Sequence, residues 1–344
     1  MRSPSLSLAP DRSRGTLATR FAPTAEMAAG LKRNVMACVR FGRNSACGDD
    51  PREIPLSLDP LGFVGVKGRE SMVELWTSDR PVDFDREDGL NFAFNGEFLF
   101  GHIYLMEVEP TALAATAFQA YARLTAFLQR KGYPELLRCW NFVHDINRGT
   151  HDQERYRQFC LGRYQAMAGV PGFERRLPAA TAIGSHEPGL LVYFMAGKVA
   201  GTQVENPRQV PAFQYPRIYG PRSPSFSRAT FARLGDSGHL LVSGTASVVG
   251  HVTQHPHDTM AQLDETLANV DALLAHSAAT HLDGRRWRAQ TLRLFLRNRA
   301  ELEPVRAWIE HRLGHDTPLV VLEGDVCRTD LNLEIEGLYQ AQDA

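Results

Sequence analysis

The stretch EGDVCRTDLNLEIEG, Glu323 to Gly337, carries the residue types and spacing best suited to acid–base chemistry. Read as a strand, it points successive side chains to opposite faces. Leu331, Leu333 and Ile335 then form an apolar face, while Asn332, Glu334 and Glu336 point the other way. A carboxyl held against a core strand beside a second carboxylate has its proton affinity raised by burial and by like charge. That is the raw material of a general acid near neutral pH. The same alternation also describes a half-buried strand with a solvated outer face, and both readings stay open on these residues. Cys327 and Arg328 lead into the strand. The cysteine reads as a nucleophile without an assignable partner histidine, or as a small core residue.

Upstream, a Pro- and Gly-rich segment from Glu205 to Ser227 contains FQYPRIYGPRSPSFSRA. Tyr215, Arg217, Tyr219, Arg222 and Arg228 lie close together there, with Pro216, Pro221 and Pro224 stiffening the backbone. Arginine forks grip carboxylates bidentately, so such a loop suits a small carboxylate ligand. An exposed loop with solvated arginines fits equally well. The following LLVSGTASVVGHVTQHPHD runs an apolar strand into Gly244, Thr245 and Ala246, small residues that let a ligand approach the backbone. His251, His255, His257 and Asp258 have loose metal-ligand spacing, but H-E-x-x-H is missing and Pro256 breaks any regular face. Asp258 suits the N-cap of a following helix, and no metal is expected. In ERYRQFCLGRY, Tyr156, Cys160 and Arg163 fall at helical spacing on or near one face. Arg297 and Arg306 read as a strand-end and a helical arginine.

These residues hang on a pattern used twice. Leu99 to Glu107, Leu136 to Ile146, Ala179 to Gly184 and Leu190 to Ala196 read as strands, with helices over Thr111 to Lys131 and Gln153 to Ala168. The second half repeats the order. Strands over His239 to Val248, Arg286 to Leu296, Pro318 to Leu322 and Leu331 to Leu338 enclose helices over Asp258 to Ser277 and Glu301 to Leu313. In the third helix Met260, Leu263, Leu267, Val270 and Leu274 make one apolar stripe. The fold class expected is α+β: two β-α-β-α-β-β domains, each with helices on one sheet face. The divisions expected are a disordered tail at 1–30, an N-terminal domain at 31–205 and a C-terminal domain at 206–344.

Composition narrows the function classes. The 344 residues carry a formal net charge of −1, so no global basic field recruits nucleic acid or an anionic membrane. No apolar run reaches the roughly 20 residues a spanning helix needs. The N-terminal stretch is rich in Arg, Ser and Pro without an apolar h-region, which argues against a secretory signal and leaves a transit peptide open. Five scattered cysteines, Cys38, Cys47, Cys139, Cys160 and Cys327, include no CxxC pair. A reducing cytosol fits that usage better than a disulfide framework. P-loop, GxGxxG turn, GxSxG elbow and aromatic-rich basic stripe are all missing, against kinase, dinucleotide-binding, hydrolase-elbow and nucleic-acid readings.

The blocks QYPRIYGPRSPSFSRA, LLVSGTASVVGHVTQH, DTMAQLDETLANVDALL and PLVVLEGDVCRTDLNLEIEG resemble those of the chorismatases. That family includes starter-unit enzymes of macrolide immunosuppressant biosynthesis. A bacterial branch, sometimes labelled pteridine-dependent deoxygenase-like, makes hydroxybenzoic acids for aryl-polyene pigments and quinones such as ubiquinone, and the resemblance is to that branch. Similarity weakens toward Pro134, and the first hundred residues carry no diagnostic motif. The second half also resembles the RidA/YjgF proteins, through the SG turn, the Q…N helix and the terminal EIE strand. The resemblance implies a RidA-like, chorismate-mutase-like fold for the C-terminal domain, with a degenerate copy before it. It also implies a monomer or a homotrimer, chorismate as substrate, and no cofactor.

By the same resemblance Glu334 is the catalytic acid. Cys327 and Ala246 sit at pocket positions that steer product outcome, beside Gly244. Tyr156, Arg163, Tyr215, Arg217 and Arg306 hold the two carboxylates. The expected reaction releases pyruvate with 3-hydroxybenzoate or 4-hydroxybenzoate. The rival readings are a RidA-like enamine or imine hydrolase, a non-catalytic pterin or aromatic-acid binder, and a metal-assisted hydrolase built on the histidines.

Overall fold

The structure is a computed structural model that describes residues 16–43, 48–66, 71–107, 109, 112–170, 172–282 and 285–342. Along the chain come β1 (Leu17–Pro23), β2 (Val35–Phe41), β3 (Glu53–Leu56), β4 (Pro60–Val64) and β5 (Met72–Ser78). Next are β6 (Asp83–Glu87), β7 (Leu90–Phe94), β8 (Phe98–Leu105), α1 (Leu113–Lys131), β9 (Glu135–His144), α2 (Arg155–Met167), β10 (Ala179–Ser185) and β11 (Leu190–Gly197). The second half runs β12 (Thr202–Val204), β13 (Ala229–Arg233), β14 (Gly238–Thr245), β15 (Val248–Val249), β16 (Val252–Thr253) and α3 (Thr259–His281). It ends with β17 (Trp287–Leu296), α4 (Leu302–Leu313), β18 (Leu319–Glu323), β19 (Asp325–Val326) and β20 (Leu333–Ala341). No described helix is long and apolar enough to cross a membrane.

The expected α+β repeat is present, and its two units share one topology. The first sheet has the order β10-β9-β11-β8-β7-β6 and the second β18-β17-β20-β14-β13-β12. Each contains one parallel pair, β9 with β10 and β17 with β18, because each helical crossover returns the chain in the same direction. The free edges are exchanged between units. β4 adds antiparallel to β18, and β19 adds antiparallel to β10. This exchange blurs the division expected at residues 205 and 206. β4 and β12, both on the N-terminal side of that line, belong to the C-terminal sheet.

Helices α1 and α2 cover the outer face of the first sheet, with Leu113, Tyr121, Leu124, Phe127 and Phe159 in its core. Leu263, Leu267, Val270, Val305 and Ile309 of α3 and α4 cover the second sheet in the same way. The inner faces of the two sheets meet each other. A third sheet, β1-β5-β2-β3, closes the remaining side. Trp76, Phe100, Trp140, Tyr193, Phe295 and Leu338 bring all three sheets into one core, in which Trp140 stacks on Tyr193 at 4.6 Å.

The third sheet corrects the expectation of a disordered tail over 1–30. β1 alternates buried Leu17, Thr19 and Phe21 with exposed Ala18 and Arg20, and pairs antiparallel with β5. The period-2 signal lay inside Ser- and Arg-rich sequence, which hid it. Residues 1–15 of the expected tail, together with Thr111 and Cys47, lie outside the described residues.

Local chemistry sets the helix ends. α1 stops where Gly132 turns left-handed at φ 75° and its N–H bonds back to Leu128 and Gln129. Asp258 caps α3, accepting from the Ala261 N–H at 3.0 Å. Gly162 lets α2 press on α1, since a Cβ there would lie 1.9 Å from the Ala114 carbonyl oxygen. Gly162→Ala should therefore push the helices apart at a cost of about 1–3 kcal/mol. Calorimetry should show a melting temperature lower by a few degrees; an unchanged value would show that the pair yields freely.

Candidate active site

β20 carries two carboxylates two residues apart, and their surroundings differ completely. Both point into the seam between the sheets, Glu334 being 5% exposed and Glu336 2%. Glu336 is held by four donors. Arg138 Nη2 donates at 2.6 Å, Trp140 Nε1 at 3.1 Å and Arg293 Nη1 at 3.2 Å, and the Thr181 hydroxyl completes the set. Glu334 has no hydrogen-bond partner among the described residues. Burial first, and then the charge of Glu336, push its pKa up to about 8, against the opposing pull of Arg138 and Arg228. The solvated-face reading of this strand is therefore wrong, because a second sheet covers the face that alternation leaves polar.

Backbone geometry brings the Glu334 carboxyl to a fixed place. The pairing of β14 with β20 slips between Val242 and Thr245, so that Ser243 and Gly244 together stand opposite Glu336. Gly244 lies in that slip, and a Cβ there would come within 1.8 Å of Glu334 Oε1. The Gly244 N–H donates to Thr181 Oγ1 at 3.0 Å, tying the slip to the first sheet. A side chain at 244 would force the carboxyl out of this place, which gives the glycine of the SGTAS turn its physical meaning.

A cavity of about 280 Å³ opens over Glu334, lined by Tyr156, Tyr215, Phe226, Arg228, Ala246 and Arg328 among others. A small inner lobe continues past Gly244 and Cys327 to Cys160 and Arg163. Arginines stand at both ends. Arg163 is 3% exposed, its Cζ lies 4.8 Å from the Tyr121 ring centroid, and its Nε and Nη2 lack partners among the described residues. At the outer end Arg228 Nη2 donates to the Tyr215 hydroxyl at 2.7 Å and to the Val210 carbonyl at 2.9 Å, while its Nε has no partner among the described residues. Arg328 lies over the Tyr219 ring at 4.1 Å. A buried acid between two cationic poles can protonate a small dianion whose carboxylates reach both poles.

Arg297 holds the loop that carries Cys327 and Arg328. Its guanidinium donates to the carbonyls of Val326, Arg328 and Leu331 at 2.9–3.0 Å, to Asn147 Oδ1 at 3.0 Å and to Asp325. Cys327 borders both lobes, and burial followed by the nearby Glu334 charge pushes its pKa up to about 12. A thiol so disposed is a poor nucleophile at neutral pH.

Seven of the nine expected site residues converge here: Glu334, Cys327, Tyr156, Arg163, Tyr215, Gly244 and Ala246 line one or both lobes. Arg217 and Arg306 do not. Arg217 points outward from the loop and pairs with Asp152, its side chain 65% exposed. Arg306 lies on the exposed face of α4, paired with Glu303 and within 4.0 Å of Glu310. Helical i, i+3 and i, i+4 partners hold Arg306, and the short turn of 217–219 swings Arg217 away from the seam. Arg228 and Arg328 occupy the outer pole instead. Arg228 had a legible signal, since it immediately precedes an apolar strand and is drawn into the core with it. Of the histidines, His251 faces the Tyr219 hydroxyl at 3.2 Å, while His255 and His257 are exposed.

The family described as chorismatase FkbO/Hyg5-like, N-terminal, matches residues 74–196. A 3-hydroxybenzoate synthase of Streptomyces hygroscopicus is 37% identical over 284 residues, covering 78% of this chain and 82% of that protein. A chorismatase of Streptomyces rapamycinicus is 37% identical over 278 residues, with the same coverage of each. The crystal structure of a chorismatase superposes with a TM-score of 0.82 at 30% identity, spanning 95% of this chain and 99% of that one. Identity sustained over most of both sequences, on one shared fold, carries the assignment: the chain belongs to the chorismatase family.

Proposed function

We propose that this protein cleaves the enolpyruvyl ether of chorismate, releasing pyruvate and 3-hydroxybenzoate, with 4-hydroxybenzoate as a co-product. The observation that carries the reading is Glu334, a buried carboxyl without a hydrogen-bond partner among the described residues, its pKa raised to about 8, set between Arg163 and the Arg228–Arg328 pair. Chorismate is a dianion of matching chemistry, with a ring carboxylate and an enolpyruvyl carboxylate at its two ends. Arg163 and the outer arginines take one carboxylate each, with Tyr156 and Tyr215 alongside.

Protonated Glu334 gives its proton to the terminal methylene of the enol ether, leaving an oxocarbenium-like centre. The neighbouring ring hydroxyl attacks the ring carbon that bears the ether. The C–O bond breaks with its electron pair moving onto oxygen, which departs as the keto group of pyruvate. The hydroxyl proton returns to Glu334. Opening of the resulting three-membered ring and loss of a ring C–H proton restore aromaticity, so the hydroxybenzoate and pyruvate together balance chorismate without added water. Water attack at the same stage gives a dihydroxy-cyclohexadiene carboxylate instead. Cys327 and Ala246 shape the wall beside the reacting carbons, and their size selects among these outcomes.

Incubation with chorismate, followed by chromatography of products and a coupled pyruvate assay, tests the reading. Saturable binding without turnover would leave only a binding module. Glu334→Gln should lower kcat by about 10²–10⁴-fold, the usual contribution of a general acid; near-wild-type pyruvate release would remove the assignment. In the wild type the rate should fall as pH rises through about 8, as Glu334 loses its proton. An alkaline limb set elsewhere would mean that another group supplies the proton.

Stability should fall in the same direction, beginning at lower pH. Between about pH 4.5 and 8 folded Glu334 keeps a proton that the unfolded chain has lost, so the folded state binds more protons and stability falls with rising pH. The slope approaches about 1.4 kcal/mol per pH unit. Glu334→Gln, with nothing to ionise, should gain in melting temperature over wild type across that window; equal melting curves at pH 5 and pH 8 would contradict it. Cys327→Ala should change the product ratio more than KM, as read by chromatography of the hydroxybenzoates. A constant ratio would deny the residue any steering role.

A further inference from the structure

The charges behind Glu334 form a group that lies outside the lining of the cavity over Glu334. Glu336 meets Arg138 from β9 and Arg293 from β17, and Arg293 Nε also donates to Glu74 Oε2 at 2.9 Å. Glu74 lies on β5 of the third sheet, is 2% exposed, and accepts from Trp76 Nε1 at 2.8 Å. Tyr193 from β11 touches Arg293, and Thr181 from β10 touches both Glu336 and Arg138. Two carboxylates and two guanidinium groups, all nearly dry, therefore neutralise one another across three sheets. Burying four charges is expensive, and apolar side chains of similar volume often hold a core together as well or better. Their value lies elsewhere.

We infer that Glu336 is a positioning residue, a fixed anion held by Arg138 and Arg293 and completed by Glu74, which keeps the neighbouring Glu334 in its protonated, proton-donating form. The inference rests on the proposed role of Glu334 and deepens it. Its geometric basis is that the two arginines in contact with Glu336, Arg138 and Arg293, are already balanced by Glu336 and Glu74. An ionised Glu334 would add a negative charge beside this already neutral group, with Glu336 on the same strand face two residues away. The other titratable groups lining the cavity with Glu334 are Glu154, Tyr156, Arg157, Cys160 and Arg163 in or just before α2, Tyr215, Tyr219 and Arg228 in the loop before β13, and Cys327, Arg328 and Asp330 before β20. Of these, Arg228 draws Glu334 toward the charged form, and Arg138 draws it the same way across the seam; burial and Glu336 outweigh them. The third sheet thus acts on the reaction through one carboxylate, although it supplies no residue to the cavity lining.

Removing either balancing carboxylate leaves the group one positive charge in excess, which stabilises ionised Glu334. Glu336→Gln should move the alkaline limb of kcat for pyruvate release to lower pH, on the order of one unit. The ratio of the rate at pH 6 to that at pH 8 would then rise about fivefold over wild type. Glu74→Gln, acting through Arg293 from farther away, should shift the limb in the same direction by less. A merely structural role would instead lower the rate evenly at all pH values, or lower the melting temperature with the limb unmoved, and either result overturns the inference. Should Glu336→Gln fail to fold, Glu74→Gln decides alone. Its readouts are the pH–rate profile and carboxyl ¹³C titration of glutamate-labelled protein, with the Glu334 signal identified by its loss in Glu334→Gln. An unshifted Glu334 midpoint in Glu74→Gln overturns the inference too. If Glu334→Gln itself retains activity, the assignment of the acid has failed, an outcome separable from an essential Glu334 whose limb does not move.

Discussion

Everything at the site depends on the unequal treatment of two glutamates on one strand face. Glu336 is met by four donors and Glu334 by none among the described residues. A buried carboxylate survives only where charges and hydrogen bonds compensate its lost hydration. Where they do not, the group keeps its proton instead. One seam therefore holds an anion and an acid side by side, a separation of roles set by environment rather than residue type.

The doubled fold is what makes the seam. Each unit buries the outer face of its sheet under two helices and leaves the inner face for its partner, and the third sheet closes the open side. The exchange of β4 and β19 across the seam locks the two units together through backbone pairing. Such a seam is a natural site for a small ligand. It is concave and largely apolar, and it is reached by polar groups from both units. Residues of the first unit supply Tyr156 and Arg163, and residues of the second supply Arg228, Gly244, Cys327 and Glu334. The N-terminal unit is therefore part of the site even though the glutamates lie on the other.

Legibility followed interaction range. The four helices and eight strands of the repeat were readable, though not β6, β7, β12 or β13, because hydrophobic periods and caps act within a few residues: the apolar stripe of α3, the stop at Gly132, the cap at Asp258. Alternation along Leu333 to Gly337 was equally plain, and it placed Glu334 and Glu336 together. The arginines were not separable by such means. Arg217 and Arg228 lie in one loop eleven residues apart, yet one is bound to Asp152 in solvent and the other is buried against Tyr215. The β1 strand escaped notice because three inward residues in a Ser- and Arg-rich stretch are a weak signal until a partner strand is known.

The amino-acid sequence alone determined the repeated α+β pattern, the paired carboxylates on one strand face and, through resemblance, the identity of the proposed acid. These are local or inherited properties, written in spacing and motif. The tertiary structure alone decided that the polar face of β20 is buried, that Arg138, Arg293 and Glu74 converge on Glu336, and which arginines stand at the two ends of the cavity. Those outcomes join residues as far apart as Arg138 and Glu336, or Glu74 and Arg293. The reason is that burial and charge pairing are properties of space: a side chain's solvent and partners exist only once distant strands have met.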